Sequence, residues 1–497
     1  MSIKIGDLSP RRSSTGDDLI SGTGKMLDSK KLLVMKFGGT SVGTVDAMAQ
    51  VVQIIKAARH DWPEQVVVAS ALAGVTNLLI NSAVRAARGE MSTFHAAVCE
   101  LNDRHHAMAE ALVSDLARKH HLHQEINHLI ADFSNLCQAI NVLGESSARA
   151  LDAVAGIGER LSVRILAAAL ESEGVPSTFV ESSQLIITDD QFLNALPDMA
   201  ETTERTHKIL RPMLTAGRIP IVTGFIAATH QGITTTLGRG GSDYSASILA
   251  VCLQASEVWI WTDVDGVMTA DPRLVADART IPVISYREVA EMAHFGAKVL
   301  HPKSIHPVIK AGIGLRVCNT FNPDGPGTRL VGESQPERSG SIIAITAIRD
   351  LQLVTVSGRG MLGVPGVAGR IFSAVATTGV SVPLIIESSS EQAICFPAPK
   401  ESVPDVIHTI RAHLSSEFQR GDIEHIDTSE DIDIITVVCP GLRTTPGVAG
   451  QIFGILGSVG INVRGISFGA SDVSISLIVS AVDTQAAIQA LHTLIRA

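Results

Sequence analysis

The chain has 497 residues, of which 45% are hydrophobic, 18% are charged and only 4% are aromatic. This length exceeds one ordinary hydrophobic core, so we expect roughly two to four domains. The 40 Lys and Arg residues against 50 Asp and Glu residues give a formal net charge of −10, which argues against general affinity for nucleic acid or for an anionic membrane.

Residues 1–30 are rich in Ser, Gly, Asp and Arg and have no hydrophobic periodicity, so they are predicted to form a disordered tail. We expect no membrane span, because no apolar run approaches the roughly 20 residues that cross a bilayer, and no export signal, because no secretory apolar segment follows the first methionine. The six cysteines are scattered and form no C-x-x-C motif. This pattern is typical of reduced thiols and predicts a cytoplasmic protein.

The stretch "LLVMKFGGTSVG", at 32–43, reads as a buried strand that runs into a tight turn. Thr40 or Ser41 is predicted to cap a helix that begins near Val45. Such a turn would aim backbone N–H groups and Lys36 at one point, which suits an anion such as phosphate. Taken alone, the stretch fits an ordinary turn with a solvated lysine equally well.

From Leu32 to about Asn319, apolar runs such as "EQVVVASA", "IPIVTGF" and "EVWIWTDV" alternate with Ala-rich helical segments. The alternation predicts an α/β domain with a largely parallel sheet, whose site lies beyond the carboxyl ends of the strands. Helical segments from about Phe94 to Val142 carry a group of histidines, among them His105, His106, His120, His121, His123 and His128. No carboxylate-rich ligand pattern accompanies these histidines, so a solvated helix face is favoured over a metal site.

Polar residues stand at the ends of further elements in several stretches. They are Ser70 and Thr76 in "VVVASALAGVTN", Glu159 and Arg160 in "GIGERLS", Arg239 and Asp243 in "TTTLGRGGSDYSAS", Thr262, Asp263 and Asp265 in "WIWTDVDGVMTADPR", and Lys298 in "FGAKVLHP". Singly, each has a structural alternative such as a helix cap or a turn. Together with Lys36, they indicate phosphoryl transfer by oriented donors, cations and carboxylate-held Mg²⁺. A P-loop is excluded, because G-x-x-x-x-G-K-[ST] does not occur.

After the loop "FNPDGPGT", at 321–328, the chain repeats itself. The segment that begins at Val354 aligns without gaps to the segment that begins at Ile435, at a constant offset of 81 residues. Each copy is predicted to run strand, turn, helix, strand, turn, strand and helix. Two copies indicate a duplicated domain, since a solenoid needs more repeats.

The first copy also contains a possible dinucleotide-binding motif. Gly358, Gly360 and Gly363 follow a strand in a G-x-G-x-x-G pattern, and Glu387 stands where a ribose-binding acid would lie. The equivalent positions of the second copy are Cys439, Gly441 and Thr444, whereas both copies share Pro-Gly-Val-Ala-Gly. A unit of about 80 residues is also short for a Rossmann fold, so this interpretation is disfavoured.

The stretches "KFGGTSVG", "GERLS", "TTTLGRGGSDYSA", "WTDVDGV" and "FGAKVLHP", in this order and ahead of a duplicated module, closely resemble the aspartate kinases of the amino acid kinase superfamily. The resemblance extends from about Leu32 to the C-terminus. It implies an αβα sandwich with a largely parallel sheet, followed by two ferredoxin-like α+β ACT domains. The regulatory half, with "ESSSE" and "GRGMLG", looks more like that of the kinases fused to homoserine dehydrogenase. The chain ends where that dehydrogenase would begin, so we expect a monofunctional enzyme.

The same resemblance implies a division into domains. The catalytic domain would span 31–335, and the first ACT domain, 351–430, would be inserted into a second one formed by 336–350 and 431–497. The strand "SIIAITAI", at 341–348, would then belong to the C-terminal module.

Roles for individual residues are likewise implied by the resemblance. Lys36 and Asp243 would be catalytic, with Lys36 neutralising the phosphoryl group and Asp243 orienting the lysines and the metal-bound phosphates. Ser70, Thr76, Glu159 and Arg239 would bind the substrate, Gly38, Gly39, Thr262, Asp263, Arg273 and Lys298 the nucleotide, and Met361, Gly363, Val382 and Glu387 an effector. No metal ligand is assigned. Met268 stands where many relatives have a tyrosine, and a thioether cannot donate the phenolic hydrogen bond to the nucleotide.

The implied reaction is the phosphorylation of the side-chain carboxylate of L-aspartate by ATP and Mg²⁺, giving 4-phospho-L-aspartate and opening lysine, threonine and methionine synthesis. No general base is needed, because the attacking carboxylate is ionised at neutral pH. The ACT pair implies feedback by threonine, lysine or both, and a homodimer or homotetramer. Two alternatives stay open: a kinase for another amino acid such as glutamate, and a non-catalytic amino acid sensor, against which the presence of Lys36 and Asp243 speaks.

Overall fold

The computed structural model describes residues 31–297, 300–361, 364, 366–387, 392–469 and 472–495. The predictions for the tail at 1–30, for Lys298 and for Gly363 therefore lie outside the described residues.

The N-terminal part of the described chain alternates strands and helices. Its strands are β1 (Leu32–Phe37), β2 (Glu64–Ala69), β3 (Ser177–Val180), β4 (Ile187–Thr188), β5 (Ile219–Thr223), β6 (Ile226–Thr229), β7 (Thr234–Thr236), β8 (Glu257–Thr262), β9 (Val283–Ser285), β10 (Gly314–Asn319) and β11 (Thr328–Val331). Its helices are α1 (Val45–Ala58), α2 (Val75–Ala86), α3 (Met91–Leu112), α4 (Leu116–Leu143), α5 (Ala148–Ala155), α6 (Ile157–Ser172), α7 (Met199–Thr215), α8 (Gly241–Leu253), α9 (Tyr286–His294) and α10 (Pro302–Ala311).

Eight of these strands form one sheet in the order β3-β5-β2-β1-β8-β10-β11-β9. Every neighbouring pair in it is parallel except β10 with β11. The largely parallel sheet predicted from the alternation of apolar runs is thus confirmed. The other three strands form a smaller sheet in the order β4-β6-β7. Its last strand, β7, is followed by the turn that leads into α8.

The central strands are buried on both faces, as continuous apolar runs require. Alternate residues of β1 enter different cores: Leu33, Met35 and Phe37 pack with α1, α2 and α6 on one face, whereas Leu32 and Val34 pack with α8 on the other. This period of two follows from the pleat of the strand. Helices therefore cover both faces, which gives the expected αβα sandwich.

The first helix is capped differently from the prediction. Thr44, and neither Thr40 nor Ser41, is the N-cap of α1, and its side chain accepts from the N–H of Ala47. Ser41 is instead buried and accepts a hydrogen bond from the hydroxyl of Thr320 at 2.7 Å. The prediction was wrong because four residues, Thr40–Gly43, form the turn that precedes the N-cap.

The C-terminal part contains β12 (Ala344–Ser357), α11 (Val367–Thr377), β13 (Ile386–Glu387), β14 (Ala393–Pro399), α12 (Val403–His413), α13 (Ser415–Arg420), β15 (His425–Val438), α14 (Val448–Ser458), β16 (Gly465–Phe468), β17 (Ser474–Ser480) and α15 (Thr484–His492). The predicted order of elements is confirmed in both copies. Helices α11 and α14 begin 81 residues apart, at Val367 and Val448, and so do strands β14 and β17.

The six strands of this part form one antiparallel sheet in the order β13-β14-β12-β15-β17-β16. The antiparallel pairing rules out the dinucleotide-binding interpretation, which requires a parallel β-α-β unit. The glycines have a packing reason instead: a Cβ at Gly358 would lie 2.2 Å from the carbonyl oxygen of Asp422, and one at Gly360 would lie 2.4 Å from the Cα of Asp422.

The second copy of the duplicated module packs on the segment that follows β8. Ala270 and Val275 belong to the same hydrophobic core as α14, α15 and β17. The N–H of Ile345 donates to the carbonyl of Thr269 at 2.8 Å, and the hydroxyl of Thr269 lies 2.9 Å from Nε2 of His492. The N-terminal and C-terminal parts are therefore joined by direct contacts.

The six histidines noted in the sequence lie on α3 and α4. His105 departs from the predicted solvated face: it is fully buried, its Nδ1 hydrogen-bonds to the carbonyl of Leu101 at 2.7 Å, and burial lowers its pKa to about 4. His106 and His123 contact each other through their rings. Within the described residues, no helix combines the length and the apolar character that a membrane crossing needs.

Candidate active site

A cleft of about 390 Å³ opens at the carboxyl ends of the central strands. It is lined by Lys36, Gly39, Ser70, Thr76, Glu159, Arg239 and Asp243, all of which were predicted from the sequence. They meet because β1 pairs in parallel with β2 and β8, so that Phe37 lies beside both Ala69 and Trp261 at the same edge of the sheet. The residues that follow these strands therefore converge on one space.

Two glycines, Gly38 and Gly39, directly follow β1 and begin the turn. A Cβ at Gly39 would lie 2.9 Å from the carbonyl oxygen of Ala71, so only glycine lets this turn approach the loop after β2. The N–H of Ala73 donates to the carbonyl of Gly39 at 3.0 Å and closes the contact. Gly38 is held by its N–H, which donates to the carbonyl of Trp261 at 3.1 Å. At this turn the chain therefore presents backbone that no side chain covers from Gly38 or Gly39.

Lys36 and Asp243 form an ion pair across the cleft. The ammonium nitrogen of Lys36 lies 2.7 Å from Oδ1 of Asp243, and only 12% and 14% of the two side chains are exposed. The pair is close, but its angles are not those of an aligned hydrogen bond. Such a partly buried pair is screened by salt much less than a surface pair. Asp243 thus fixes the lysine charge at the centre of the cleft.

Glu159 carries a buried carboxyl group with an open side. It lies in the first turn of α6, where the positive end of the helix dipole favours an acid, and its side chain is 3% exposed. Burial raises its pKa to about 7, while the backbone N–H of Ala71 opposes this shift. Its Oε2 has no hydrogen-bond partner among the described residues. A buried acceptor of this kind is costly unless a ligand completes it.

Arg239 projects from a turn that only glycines allow. Gly238 and Gly240 have φ of 76° and 71°, in the left-handed region that residues with a Cβ avoid. A Cβ at Gly224 would lie 2.6 Å from the side chain of Ser242, so the loop after β5 packs directly on the start of α8. Arg239 itself is exposed at the mouth of the cleft, where a charged ligand can reach its guanidinium.

Three other residues predicted for the nucleotide, Thr262, Asp263 and Arg273, do not line the cleft. Thr262 ends β8 next to Gly38, and its hydroxyl donates to Asp263 at 3.3 Å. Arg273 is 83% exposed and pairs with Asp271 at 2.7 Å, which helps to hold the pKa of that carboxyl below its usual value. Neither Arg273 nor Met268 lines the cleft; the sulfur of Met268 accepts from the hydroxyl of Thr280 at 3.5 Å.

Sequence reasoning missed several side chains that line the cleft, among them Asn77, Phe225 and Ser242. Phe225 has a φ of 66°, which is unusual for a bulky residue, and a Cβ at Gly241 would lie 2.6 Å from its ring. The available signal was its place directly after a buried strand, in "IPIVTGF". That signal marks a position at the sheet edge but gives no reason to prefer an apolar side chain.

The described members of the predicted effector set lie in the first copy of the duplicated module. Met361 is buried in the core of that copy, Val382 packs against the same core, and Glu387 is exposed on the edge strand β13. Glu387 is therefore the described member of this set that a ligand reaches most directly.

Within the described residues, one group of His, Asp and Glu side chains has ligand atoms close enough to hold a metal ion: Asp198, Glu201 and His230. It lies outside the residues that line the cleft. In the cleft itself, the carboxylate of Asp243 fits a magnesium ion carried by phosphates, which usually needs only one or two protein carboxylates. Asp263, which directly follows β8, does not line the cleft.

Comparison with known proteins gives matches along the whole described chain. The model of the amino acid kinase family matches residues 31–319, and the ACT domain model matches residues 354–414 and 435–494. The lysine-sensitive aspartokinase 3 of Escherichia coli is 32% identical over 464 residues, which cover 93% of this chain and 99% of that protein. A chloroplastic bifunctional aspartokinase/homoserine dehydrogenase of Zea mays is 35% identical over 473 residues. The chain spans about half the length of this maize protein and of similar bifunctional relatives.

Solved structures of an aspartokinase are similar to this chain over most of its length. The crystal structure of Escherichia coli aspartokinase III with aspartate and ADP, in the R-state, has a TM-score of 0.77 at 30% identity and covers 93% of this chain and 99% of that chain. The same enzyme with lysine and aspartate, in the T-state, has a TM-score of 0.76 and covers 94% of this chain and all of that chain.

Proposed function

The chain belongs to the aspartokinases of the amino acid kinase family, and on this basis we propose that it transfers the γ-phosphoryl group of ATP to the side-chain carboxylate of L-aspartate. The product is 4-phospho-L-aspartate, which opens lysine, threonine and methionine synthesis. The observation that carries the proposal is the meeting of Lys36, Glu159 and Arg239 in one cleft. Lys36 supplies a cation for the phosphoryl group. Glu159 and Arg239 supply one negative and one positive group for the two charges of a zwitterionic amino acid.

Lys36 acts on the phosphoryl group in flight. Transfer spreads negative charge over the phosphoryl oxygens, and a fixed ammonium stabilises this charge without reorganisation. Asp243, 2.7 Å away, holds the ammonium in place before the substrates bind. The bare backbone of Gly38 and Gly39 lets the phosphate approach the turn closely. The nucleotide extends from there toward Thr262 and Asp263, and Arg273 and Lys298 keep the nucleotide-binding role that the resemblance implies for them.

Glu159 and Arg239 bind the two charged groups of the amino acid. The open Oε2 of Glu159 accepts the α-ammonium, and the planar guanidinium of Arg239 binds the α-carboxylate. Ser70 and Thr76 line the same space and complete the pocket. The side-chain carboxylate of aspartate attacks as an ion, so the chain needs no general base. Mg²⁺, held by phosphates and by Asp243 or Asp263, would neutralise charge on the nucleotide.

The ACT pair regulates this reaction through an amino acid effector, threonine, lysine or both. Support comes from the hydrogen bonds of Ile345 and His492 to Thr269, because Thr269 lies in the segment that follows β8 toward the nucleotide side. An effector that favours one packing of the second ACT copy would move this segment. Coupling of this kind is typically worth on the order of 1–3 kcal/mol.

We keep the proposed division into domains. The first half of β12, from Ala344 to Ile348, pairs with Ile434–Val438 of β15, which supports assigning "SIIAITAI" to the C-terminal module.

The edge strand β16 exposes Ile466 and Phe468, which supports assembly into a dimer or tetramer through the ACT domains. All six cysteines are free, in keeping with a reducing, cytoplasmic location.

The test is hydroxylamine trapping of the acyl phosphate with purified protein, ATP and Mg²⁺. We expect a hydroxamate with L-aspartate and none with L-glutamate, and we expect threonine or lysine to suppress it. Signal with glutamate instead would make the chain a kinase for that amino acid. Silence with every amino acid, in folded protein that still binds an effector, would identify a sensor.

A further inference from the structure

Asp152 is a buried acid that the proposed reaction does not use. It lies on α5, is 0% exposed and accepts hydrogen bonds at both carboxylate oxygens. Oδ2 accepts the backbone N–H groups of Leu193 at 2.9 Å and of Thr236 at 3.1 Å, and Oδ1 accepts the hydroxyl of Thr236 at 2.6 Å. Sequence reasoning gave this residue no role.

The three donors and the carboxylate depend on each other. Burial raises the pKa of Asp152, while the hydrogen bonds from Thr236 and Leu193 oppose that shift. A buried carboxylate is costly unless it is hydrogen-bonded, and a buried N–H left without an acceptor is costly as well. Replacing Asp152 with an apolar residue would therefore release both donor segments from their positions.

The first donor, the N–H of Leu193, belongs to a loop that packs against the turn that carries Arg239. Leu193 has a φ of 70°, a left-handed conformation that a residue with a Cβ rarely adopts without support. The next residue, Asn194, accepts from the ammonium of Lys303 at 2.7 Å. A Cβ at Gly238 would lie only 2.8 Å from Oδ1 of Asn194. The loop at 189–196 is thus packed directly against the start of the turn.

The second donor leads into the same turn from the other side. Thr236 is the last residue of β7, three positions before Arg239, and its carbonyl accepts the N–H of Ala195 at 2.9 Å. Helix α5, on which Asp152 lies, is followed by α6, which carries Glu159 in its first turn. One carboxylate therefore connects the elements that carry Arg239 and Glu159.

We propose that Asp152 is a positioning residue, which clamps the 189–196 loop against the Gly238–Gly240 turn and so places Arg239 opposite Glu159. The inference rests on the proposed function, in which these two side chains bind the charged groups of the amino acid. A small displacement of a binding group removes much of its contribution to binding. Loss of the clamp should therefore weaken substrate binding. The nucleotide side, built on β1 and β8, lies on other elements and should be unaffected.

The test compares Asp152→Ala with Asp152→Asn. An asparagine oxygen at the Oδ2 position can accept both backbone N–H groups, and its amide can donate to the Thr236 hydroxyl, so the amide can restore all three contacts. We expect the KM for aspartate to rise about tenfold in Asp152→Ala and to stay within about threefold of wild type in Asp152→Asn. The KM for ATP should change less than about twofold in both variants. If Asp152→Ala does not fold, Thr236→Val, which removes only the hydroxyl, should give a smaller rise in the same constant.

Asp433→Ala is the matched control. Asp433 is also a buried acid, and it accepts a backbone N–H from Asp350 at 3.2 Å and a hydroxyl from Thr484 at 2.7 Å, but it lies in the ACT sheet. Its loss should lower the melting temperature and leave the KM for aspartate, measured without effector, unchanged. A merely structural role for Asp152 predicts that Asp152→Ala behaves in the same way.

Hydrogen exchange in ligand-free protein decides the positioning role without any turnover. We expect amides in 189–196 and 234–241 to exchange faster in Asp152→Ala, to return to wild-type rates in Asp152→Asn, and to be unchanged in Asp433→Ala. Unchanged exchange in these segments, equal rises in both KM values, or an asparagine variant as impaired as the alanine variant would each overturn the proposal. Wild-type protein without activity would refute the proposed function while leaving the exchange result to decide the clamp.

Discussion

The catalytic cleft and the ACT sheet bury acids in opposite ways. In the ACT sheet, Asp433 is buried with a backbone N–H and a threonine hydroxyl as partners. In the cleft, Glu159 is equally inaccessible, but one carboxylate oxygen has no partner among the described residues. The first arrangement is complete in the protein alone, whereas the second becomes complete only when a ligand donates a hydrogen bond. The open oxygen of Glu159, inside the cleft, therefore supports the proposal that this acid binds the substrate.

The largest effect should come from Lys36→Ala. Removing the cation that faces the moving phosphoryl group should lower kcat about 100-fold or more, because this charge acts mainly in the transition state. Hydroxamate formation with saturating substrates measures the loss. Lys56→Ala is the control, since Lys56 also pairs with an acid at 2.8 Å, that of Glu173, but on the surface. Equal activity in the two variants would remove Lys36 from the mechanism.

Glu159→Gln tests the incomplete acid directly. The amide keeps the shape but loses the charge that binds the substrate ammonium, so the KM for aspartate should rise about tenfold with a smaller change in kcat. Glu417→Gln serves as the control, because Glu417 is a buried acid of the first ACT copy that is already paired with Arg370 at 3.0 Å. An unchanged KM in Glu159→Gln would show that the open oxygen binds something other than substrate.

The pH dependence should single out the same residue. Burial raises the pKa of Glu159 from 4.5 to about 7, and the ionised form is the one that binds an ammonium. The KM for aspartate should therefore fall as pH rises through about 7, and this dependence should vanish in Glu159→Gln. The ligand-free protein should show the opposite trend: its folded state holds the Glu159 proton more tightly than the unfolded state does, so this group lowers stability as pH rises from 4.5 to about 7.

Asp433→Ala should damage stability alone. Loss of the carboxylate leaves the N–H of Asp350 and the hydroxyl of Thr484 without their acceptor, which typically costs about 1–3 kcal/mol of unfolding free energy. Thermal or urea unfolding measures this, and aspartate kinetics without effector should match those of wild type. A variant that kept full stability would contradict the view that this buried acid is held for structural reasons.

The smallest effect is expected at the contact between the two regions. His492→Phe keeps a ring in place but removes the nitrogen that lies 2.9 Å from the hydroxyl of Thr269. The concentration of threonine or lysine that half-inhibits the enzyme should shift about twofold to fivefold, with uninhibited activity nearly unchanged. An unaltered inhibition curve would mean that the coupling reaches the cleft by another contact.

Much of the site could be predicted because its residues lie at the ends of strands or directly after them. Parallel strands bring their carboxyl ends to one edge, so Lys36, Ser70 and Thr262 were predictable as neighbours from the positions of apolar runs alone. Phe225 and Asp152 were not predictable in this way. Phe225 needs an unusual backbone conformation, and Asp152 lies inside a helix whose sequence gives no sign of the loop it contacts.

The sequence by itself determined the periodicity of the strands, the 81-residue duplication and the polar residues at element ends, because these depend on spacing along the chain. The resemblance it carries to aspartate kinases determined the family. Only the tertiary structure decided that Glu159 keeps an open oxygen, that Thr44 caps α1, and that Asp152 connects the elements of Arg239 and Glu159. The physical reason is that burial and hydrogen bonding depend on partners that are distant in sequence, such as Thr236 for Asp152, and no local pattern specifies a partner 84 residues away.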